Sequence, residues 1–339
     1  MPLLSICIPT YKRSRMLAEA LESIIAQGLQ DQIEVVVSDD ASPDDTAAVA
    51  ENFRKRIKYF QFIQQPKNLG MGQNFLACIA AARGDYIWLM GDDDRLAVGG
   101  AQRVIDALRR WPDVVGLSLA VIDFDSTMTT PTGLRKMPPT GIIQGANEVF
   151  GQMAEVLSFM SSLVVRRKLW EMHVDDPRVQ SIRHLYVHVL MLGCVIGPEG
   201  KWGVLNEPCV HFRGGNDQLK DRFGWFSRIK IDVLGHKEVA DALFNDDPKA
   251  HSAMRRRVLS SHIISHVTNA KTSLSQCAEV PACSYFLLKH YYKFAYFWIV
   301  VLPVLISPAW LLKLVRPAYR RWVPWSGSRR VRHAPIVDG

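Results

Sequence analysis

"GDYIWLMGDDDRL", residues 84–96, sets an apolar run from Tyr86 to Met90 directly against three adjacent aspartates, Asp92, Asp93 and Asp94. Neighbouring carboxylates repel, so a folded chain keeps three together only with a cation, with hydrogen-bond donors or with full solvation. The run has strand length, and helical periodicity follows it at about 99–111. The same unit recurs upstream. "LLSICI" (3–8) leads into "RSRMLAEALESIIAQ" (13–27), where Leu17, Leu21, Ile24 and Ile25 fall at helical spacing. "IEVVVS" (33–38) precedes a Ser42/Asp44 cap region and a helix to about Lys55, and "KYFQFI" (58–63) precedes "GMGQNFLACIAAA" (70–82). "VVGLSLAVIDF" (114–124) closes the series. Strands apolar on both faces, alternating with helices, predict an α/β fold built on a mostly parallel sheet covered on both sides. Ligands of such sheets lie beyond the carboxyl ends of the strands, where Asp39–Asp40 and Asp92–Asp94 fall.

The 339 residues, 48% hydrophobic, suffice for one large core and an appendage. The formal net charge is +8, yet seven Lys/Arg against Asp338 alone give residues 309–339 a charge of +6. The body is therefore nearly neutral, which argues against a nucleic-acid-coating surface and for a basic tail that meets an anionic membrane surface. Six cysteines (Cys7, Cys78, Cys194, Cys209, Cys277, Cys283) show no CxxC pair and read as reduced core thiols of a cytosolic protein. No secretory signal pattern opens the sequence. Beyond Phe124, a Pro/Thr-rich stretch (126–140) reads as an extended loop. A helix near 145–157, a strand at 161–165, a helix around 182–194 and a strand near 202–212 follow, then polar helices over 216–267. Phe294–Leu312 holds 19 uncharged residues, just enough to cross a bilayer core of about 30 Å. Pro303 and Pro308 interrupt it and both flanks are basic, which favours a re-entrant or interface-lying helix pair over a span, with a buried helix of the core as the alternative.

In order and interval, "SICIPTYKR" (5–13), "EVVVSDDASPDDT" (34–46), "NLGMGQN" (68–74) and "GDYIWLMGDDD" (84–94) resemble the inverting glycosyltransferases of family 2, which have the GT-A fold. The likeness is specific over 1–125 and continues weakly to about 215. "LMGDDD" with "FMSSLVVRRKLW" is similar to bacterial O-antigen transferases of the abequosyltransferase type. The resemblance implies a GT-A domain over 1–215, with a nucleotide-sugar half (1–125) and an acceptor half (126–215). The expected continuation is a helical region (216–284), membrane-associating helices (285–325) and a basic tail (326–339). It also implies Mg²⁺ or Mn²⁺ as counter-charge for a departing diphosphate, for which one or two carboxylates suffice. Gly91 falls where family members carry the first Asp of Asp-x-Asp, so Asp93 becomes the expected metal ligand, with Asp92 and Asp94 beside it. A solvated turn capping the next helix is the other reading.

Pro9, Thr10, Tyr11 and Arg13 match the family's loop against base and ribose, with Lys12 where Asn is commoner. Tyr11 would stack on the base, Arg13 would meet a phosphate, and Asp39 and Asp40 match the acids of which the second reads the base. Asn68, Gly70, Gly72 and Asn74 fit the loop closing over the nucleotide. The family's Glu-Asp base pair is missing. In its place "RHLYVHVLML" (183–192) offers His188, as a base or as a core residue, with Asp175, Asp176 and Asp217 as other candidates. "FMSSLVVRR" (159–167) and "HFRGGND" (211–217) read as the acceptor side, with Arg213 and Asn216 toward a pyrophosphate or in a surface turn. "HIISH" (262–266) lacks the glutamate of a zinc-protease helix and reads as structural. The expected function is transfer of a sugar from a nucleoside diphosphate to a polyprenyl-diphosphate-linked oligosaccharide at the cytoplasmic face of the inner membrane, by a peripheral or monotopic enzyme. A nucleotidyltransferase acting on sugar phosphates and a non-catalytic nucleotide-sugar-binding protein are the rivals.

Overall fold

The computed structural model of the chain describes residues 2–29, 31–182, 184–272 and 279–322, and at 218, 219, 222 and 316–322 the backbone alone. The basic tail expected over 326–339 and Cys277 lie outside the described residues. Among the described residues, those of 2–149 and 156–215 belong to one compact unit, and those of 150–155 and 216–322 to a second.

The first unit is built on a ten-stranded sheet. Its strands are β1 (Leu4–Thr10), β2 (Ile33–Asp39), β3 (Phe60–Gln64), β4 (Tyr86–Leu89), β5 (Arg95–Leu96), β6 (Val114–Phe124), β7 (Pro131–Leu134), β8 (Gly141–Gln144), β9 (Leu163–Arg166) and β10 (Lys201–Arg213). Their order is β3-β2-β1-β4-β9-β6-β10-β5, with β7 beside β6 and β8 beside β10. The first four strands are mutually parallel, as the alternation of strand and helix requires. The other half is not: β9 runs antiparallel between β4 and β6, and β5, β7 and β8 are antiparallel edges. The expectation of a mostly parallel sheet is corrected to a mixed one. The stretch expected as an extended loop over 126–140 instead contributes β7.

Period-two alternation sorts the strand residues between the two faces. Leu4, Ile6, Ile8, Val35, Val37 and Trp88 enter one core with Leu17, Ala20, Leu21 and Ile24 of the helix Ser14–Ile25 and Ala101, Val104, Ile105 and Leu108 of the helix Gly100–Arg110. Both helices bury i, i+3, i+4 and i+7, the stripe an amphipathic helix presents to a sheet. Cys7 and Val36 alternate with those residues and are equally buried. The helix Met71–Ala80 lies against Val36, with the Cys78 thiol 3.4 Å from its carbonyl. All ten residues of Val187–Ile196 are buried. The five described cysteines are unbridged and buried, and burial pushes the Cys209 thiol up to about 12.

The second unit is helical, with Trp225–Phe244, Pro248–Val258, Ile264–Thr272 and Val280–Tyr291 as its main helices. No described helix is long and apolar enough by itself to cross a membrane; Phe297–Ile306 and Ala309–Val315 meet at 119°. The buried Lys271 ammonium donates to the Val304, Leu305 and Ser307 carbonyls at that break, satisfying the acceptors a helix C-terminus leaves open.

Candidate active site

The chain runs from β1 outward through β2 to β3, then returns to the other side of β1 as β4. The order therefore reverses between β1 and β4, and the loops leaving the two strands diverge there into a crevice. The loop after β1 carries Tyr11, Lys12 and Arg13, and the loop after β4 carries the three aspartates.

Each aspartate has a different set of partners. Asp92 is buried: it accepts from the Thr10 hydroxyl at 2.7 Å and pairs with the Arg13 guanidinium at 2.8 Å. Arg13 also pairs with Asp93 at 2.9 Å. Asp94 is buried too, accepting from the Ser161 hydroxyl and from the Arg213 backbone N–H at 3.1 Å. Ser161 Oγ in turn accepts from Gly91 N at 2.9 Å, which closes the turn on itself. Burial pushes Asp92 up to about 6, against the opposing pull of Arg13 and with a further push from the charge on Asp93. Burial, again joined by the charge on Asp93, pushes Asp94 up to about 8. The loop thus carries crowded, desolvated carboxylates that one guanidinium does not neutralise.

Carboxylate oxygens, the donor type a divalent cation takes, come together at one point of this loop. A Cβ on Gly91 would meet Asp93 Oδ1 at 2.9 Å, Asp94 Oδ2 at 3.3 Å and Ser161 Oγ at 3.4 Å, so carboxylate oxygens from two residues converge on the hollow that the missing side chain leaves. Asp92, turned to Thr10 and Arg13, instead supports the loop. Of the three aspartates expected as ligands, Asp93 and Asp94 are the pair whose oxygens border this hollow.

Several residues expected to touch a nucleotide hold the crevice together. Asp40 accepts from Leu69 N at 2.6 Å and Gly70 N at 3.0 Å, its own N–H donates to Thr10 O at 3.0 Å, and Asn68 Nδ2 donates to its carbonyl at 3.3 Å. Asn74 is buried against Ser38, accepting its hydroxyl at 2.7 Å and donating to its carbonyl at 2.9 Å. Asp39, register partner of Thr10, accepts from Ser42 N at 3.2 Å. Tyr11 is 38% exposed. Pro9 is half-buried at the end of β1, and the space over Gly72 is open.

The expected base candidates do not gather here. Of the two readings of His188, the structure shows the core one: its ring is buried against Phe75 and Tyr186, its Nδ1 lies 2.9 Å from Leu185 O, and burial lowers it to about 4. Asp176 is corrected to a helix cap, accepting from Arg178 N at 2.9 Å and pairing with the Arg178 guanidinium at 2.7 Å, which holds it down at about 2. Asp175 is exposed. Asp217 caps the helix Gln218–Phe223, accepting from Lys220 N at 3.0 Å.

Arg213, expected to meet a pyrophosphate, is a buried latch. Its Nε donates to Asp93 O at 3.0 Å, Nη1 to Ser126 O at 2.9 Å and Nη2 to Glu19. Asn216 begins the second unit. Sequence reasoning passed over Glu19, which also takes Arg95 at 2.7 Å, and Arg135, whose guanidinium lies 4.1 Å from Phe159 and 4.2 Å from Phe212 and whose charge favours the ionised form of Asp94. Glu19 has a local partner in Arg15, four positions away, but the two arginines that tie it to the site lie 76 and 194 positions away, and the Arg135 partners up to 77, so no local pattern announces these roles.

The family model described as glycosyl transferase family 2 matches residues 5–163. Among curated proteins, the chain is 28% identical to abequosyltransferase RfbV of Salmonella typhimurium over 261 residues, covering 72% of this chain and 76% of that one. It is 39% identical to the GalNAc(5)-diNAcBac-PP-undecaprenol beta-1,3-glucosyltransferase of Campylobacter jejuni over 102 residues, 29% of this chain and 32% of that one. Among solved structures, S. aureus TarS 1–349 in complex with UDP-GlcNAc is similar with a TM-score of 0.61 at 15% identity, covering 95% of this chain and 92% of that one. The mannosyltransferase PcManGT from Pyrobaculum calidifontis, in complex with GDP-Man and Mn²⁺, is similar with a TM-score of 0.52 at 15% identity, covering 95% and 88%.

Proposed function

Residues 5–163 are a family 2 glycosyltransferase domain, and from that membership we propose that the chain moves a sugar, with inversion, from a nucleoside diphosphate to a lipid-linked oligosaccharide of a bacterial surface polysaccharide. The observation that carries this reading is the acidic loop at the reversal of strand order, with Asp92 raised to about 6 and Asp94 to about 8 by burial and mutual repulsion. Loss of a nucleoside diphosphate develops negative charge on its oxygens, and catalysis consists largely of meeting that charge with fixed groups. A divalent cation held by Asp93 and Asp94 supplies the counter-charge when bound.

The chain's own side chains fix where that charge is met. Thr10 and Arg13 hold Asp92, while Ser161 and Arg213 hold Asp94, so little reorganisation is left for the moment of reaction. Arg13 adds a permanent positive charge beside the carboxylates. The exposed Tyr11 ring offers a face on which a base can stack.

The lipid-linked acceptor and the location at the cytoplasmic membrane face rest on two supports. One relative carries a polyprenyl diphosphate in its printed name. In the second unit, Trp298, Ile299, Ile306, Trp310, Leu314 and Val315 are exposed around the bent helix pair, next to the basic Lys313. Exposed aromatic and aliphatic groups beside a cation suit the headgroup boundary of an anionic bilayer, and an acceptor with a polyprenyl tail does not leave the bilayer.

The test is Asp93→Ala. It is expected to abolish sugar transfer and the Mn²⁺-dependent thermal stabilisation by nucleoside-diphosphate sugars, while the melting curve without ligand keeps its shape. Undiminished turnover would overturn the reading. A panel of donors in the same assay identifies base and sugar.

A further inference from the structure

Apart from the acidic loop, the described residues of the second unit bring together a set of metal-type donors that the transfer reaction does not use. The helix Trp225–Phe244 carries Arg228, Asp232 and His236 at i, i+4 and i+8, one stripe down its side. The π-turn Leu259–Ile263 carries His262, and the helix Ile264–Thr272, which continues from it, carries His266 four positions on. The stripe meets the two histidines. His262 Nε2 lies 3.1 Å from Asp232 Oδ2, the two histidine rings are 4.6 Å apart, and the donor atoms of Asp232, His262 and His266 all fall within 4.8 Å of one another. π-Turns inside helices recur at functional sites, since the extra residue re-aims a side chain.

We propose that Asp232, His262 and His266 form a binding site for a first-row transition metal ion of the zinc type. Zinc bonds of about 2.0–2.1 Å place tetrahedral ligands about 3.3 Å apart, and the Asp232–His262 pair already has that separation. Two imidazoles and one carboxylate suit zinc, copper or nickel, whereas magnesium and calcium prefer all-oxygen shells. The site therefore selects a different class of ion from the acidic loop.

The surroundings orient the donors. Arg228 takes the other Asp232 oxygen, Oδ1, and leaves Oδ2 turned toward His262. His236 donates from Nδ1 to the Asp232 carbonyl at 2.7 Å and backs the site with its ring 6.0 Å from that of His262. Asp232 is fully buried, while His262 and His266 are half-buried. A bound ion would brace the helix Trp225–Phe244 against Ile264–Thr272.

The experiment uses the full chain carrying Asp93→Ala, so that the acidic loop does not contribute. After incubation with zinc and gel filtration, metal analysis is expected to return about one zinc per chain, with a higher Tm than the same sample treated with chelator. His266→Gln and His262→Asn, at half-buried positions, are expected to lose that zinc and that shift. In the Asp93-intact background, the same two variants should keep the Mn²⁺-dependent stabilisation by donor. Zinc retained at the same level in His266→Gln, or no retention and no shift in the parent, overturns the site and leaves an Arg–Asp–His ion-pair network. Neither result bears on sugar transfer, which depends on the other unit's loop.

Discussion

Lys12 adopts φ 57°, in the left-handed region, and Ala41 in the neighbouring loop adopts φ 58°. The two loops are stitched by Lys12 N donating to Ser42 Oγ at 2.9 Å. A left-handed backbone costs an ordinary L-residue about 1–2 kcal/mol and Asn less, because its short side chain bonds locally. That is a physical reason for the Asn that resembling sequences carry here. Lys12→Asn is expected to stabilise the fold by about 0.5–1 kcal/mol in urea unfolding; an unchanged midpoint would contradict a cost at this position.

His188 supports a second prediction, with a sign that follows from its burial. Its folded value of about 4 lies below the ordinary 6.5, so between those values the unfolded chain binds more protons and stability falls as pH falls. His188→Leu should remove on the order of 1–2 kcal/mol of the loss between pH 7 and pH 5, measured as the difference in unfolding free energy of each protein at the two pH values. Equal losses in both proteins would mean that the imidazole is not held neutral. At this scale the acidic residues of the crevice were legible, because clustered carboxylates at a strand end are visible as letters. Which of them faces outward was not, since Thr10, Arg13 and Ser161 make that choice from positions up to 82 residues away.

Among the elements, β10 does more than its apolar pattern announces. Its last residue, Arg213, ties the acidic loop to Glu19 on the helix Ser14–Ile25 and to Ser126 after β6. Arg213→Ala leaves Glu19 with Arg95 and the exposed Arg15 and strands the Asp93 and Ser126 carbonyls. Removing one partner of a buried ion pair costs about 3–5 kcal/mol, reduced here to about 2–3 because Glu19 is partly solvated. A fall in Tm together with weaker Mn²⁺-dependent donor binding is expected. Full retention of both would deny the latch. The parallel half of the sheet was readable from strands buried on both faces. The insertion of β9 between β4 and β6 was not, because "SSLVV" pairs as well in either direction and the choice is made by neighbours 45 to 80 positions away.

At the scale of the whole molecule, the exposed apolar side chains of the second unit carry the membrane prediction. Trp298→Ser combined with Trp310→Ser is expected to abolish co-sedimentation of the full chain with anionic phosphatidylglycerol vesicles while leaving the melting temperature within a degree or so, since both indoles are exposed. Undiminished sedimentation would remove these residues from the docking surface. From sequence, the Pro303 and Pro308 interruptions announced the break, and the 119° bend is its structural form. Local order along the chain by itself determined the strand–helix alternation, the acidic clusters at strand ends and the family likeness, because period, turn residues and adjacent charges are properties of near neighbours. Only the tertiary structure decided that His188 is core, that Asp176 is a cap, that Arg213 is a latch and that Asp232 meets His262 and His266. Each of those roles depends on desolvation and on partners that the fold, not the sequence interval, brings within hydrogen-bonding distance.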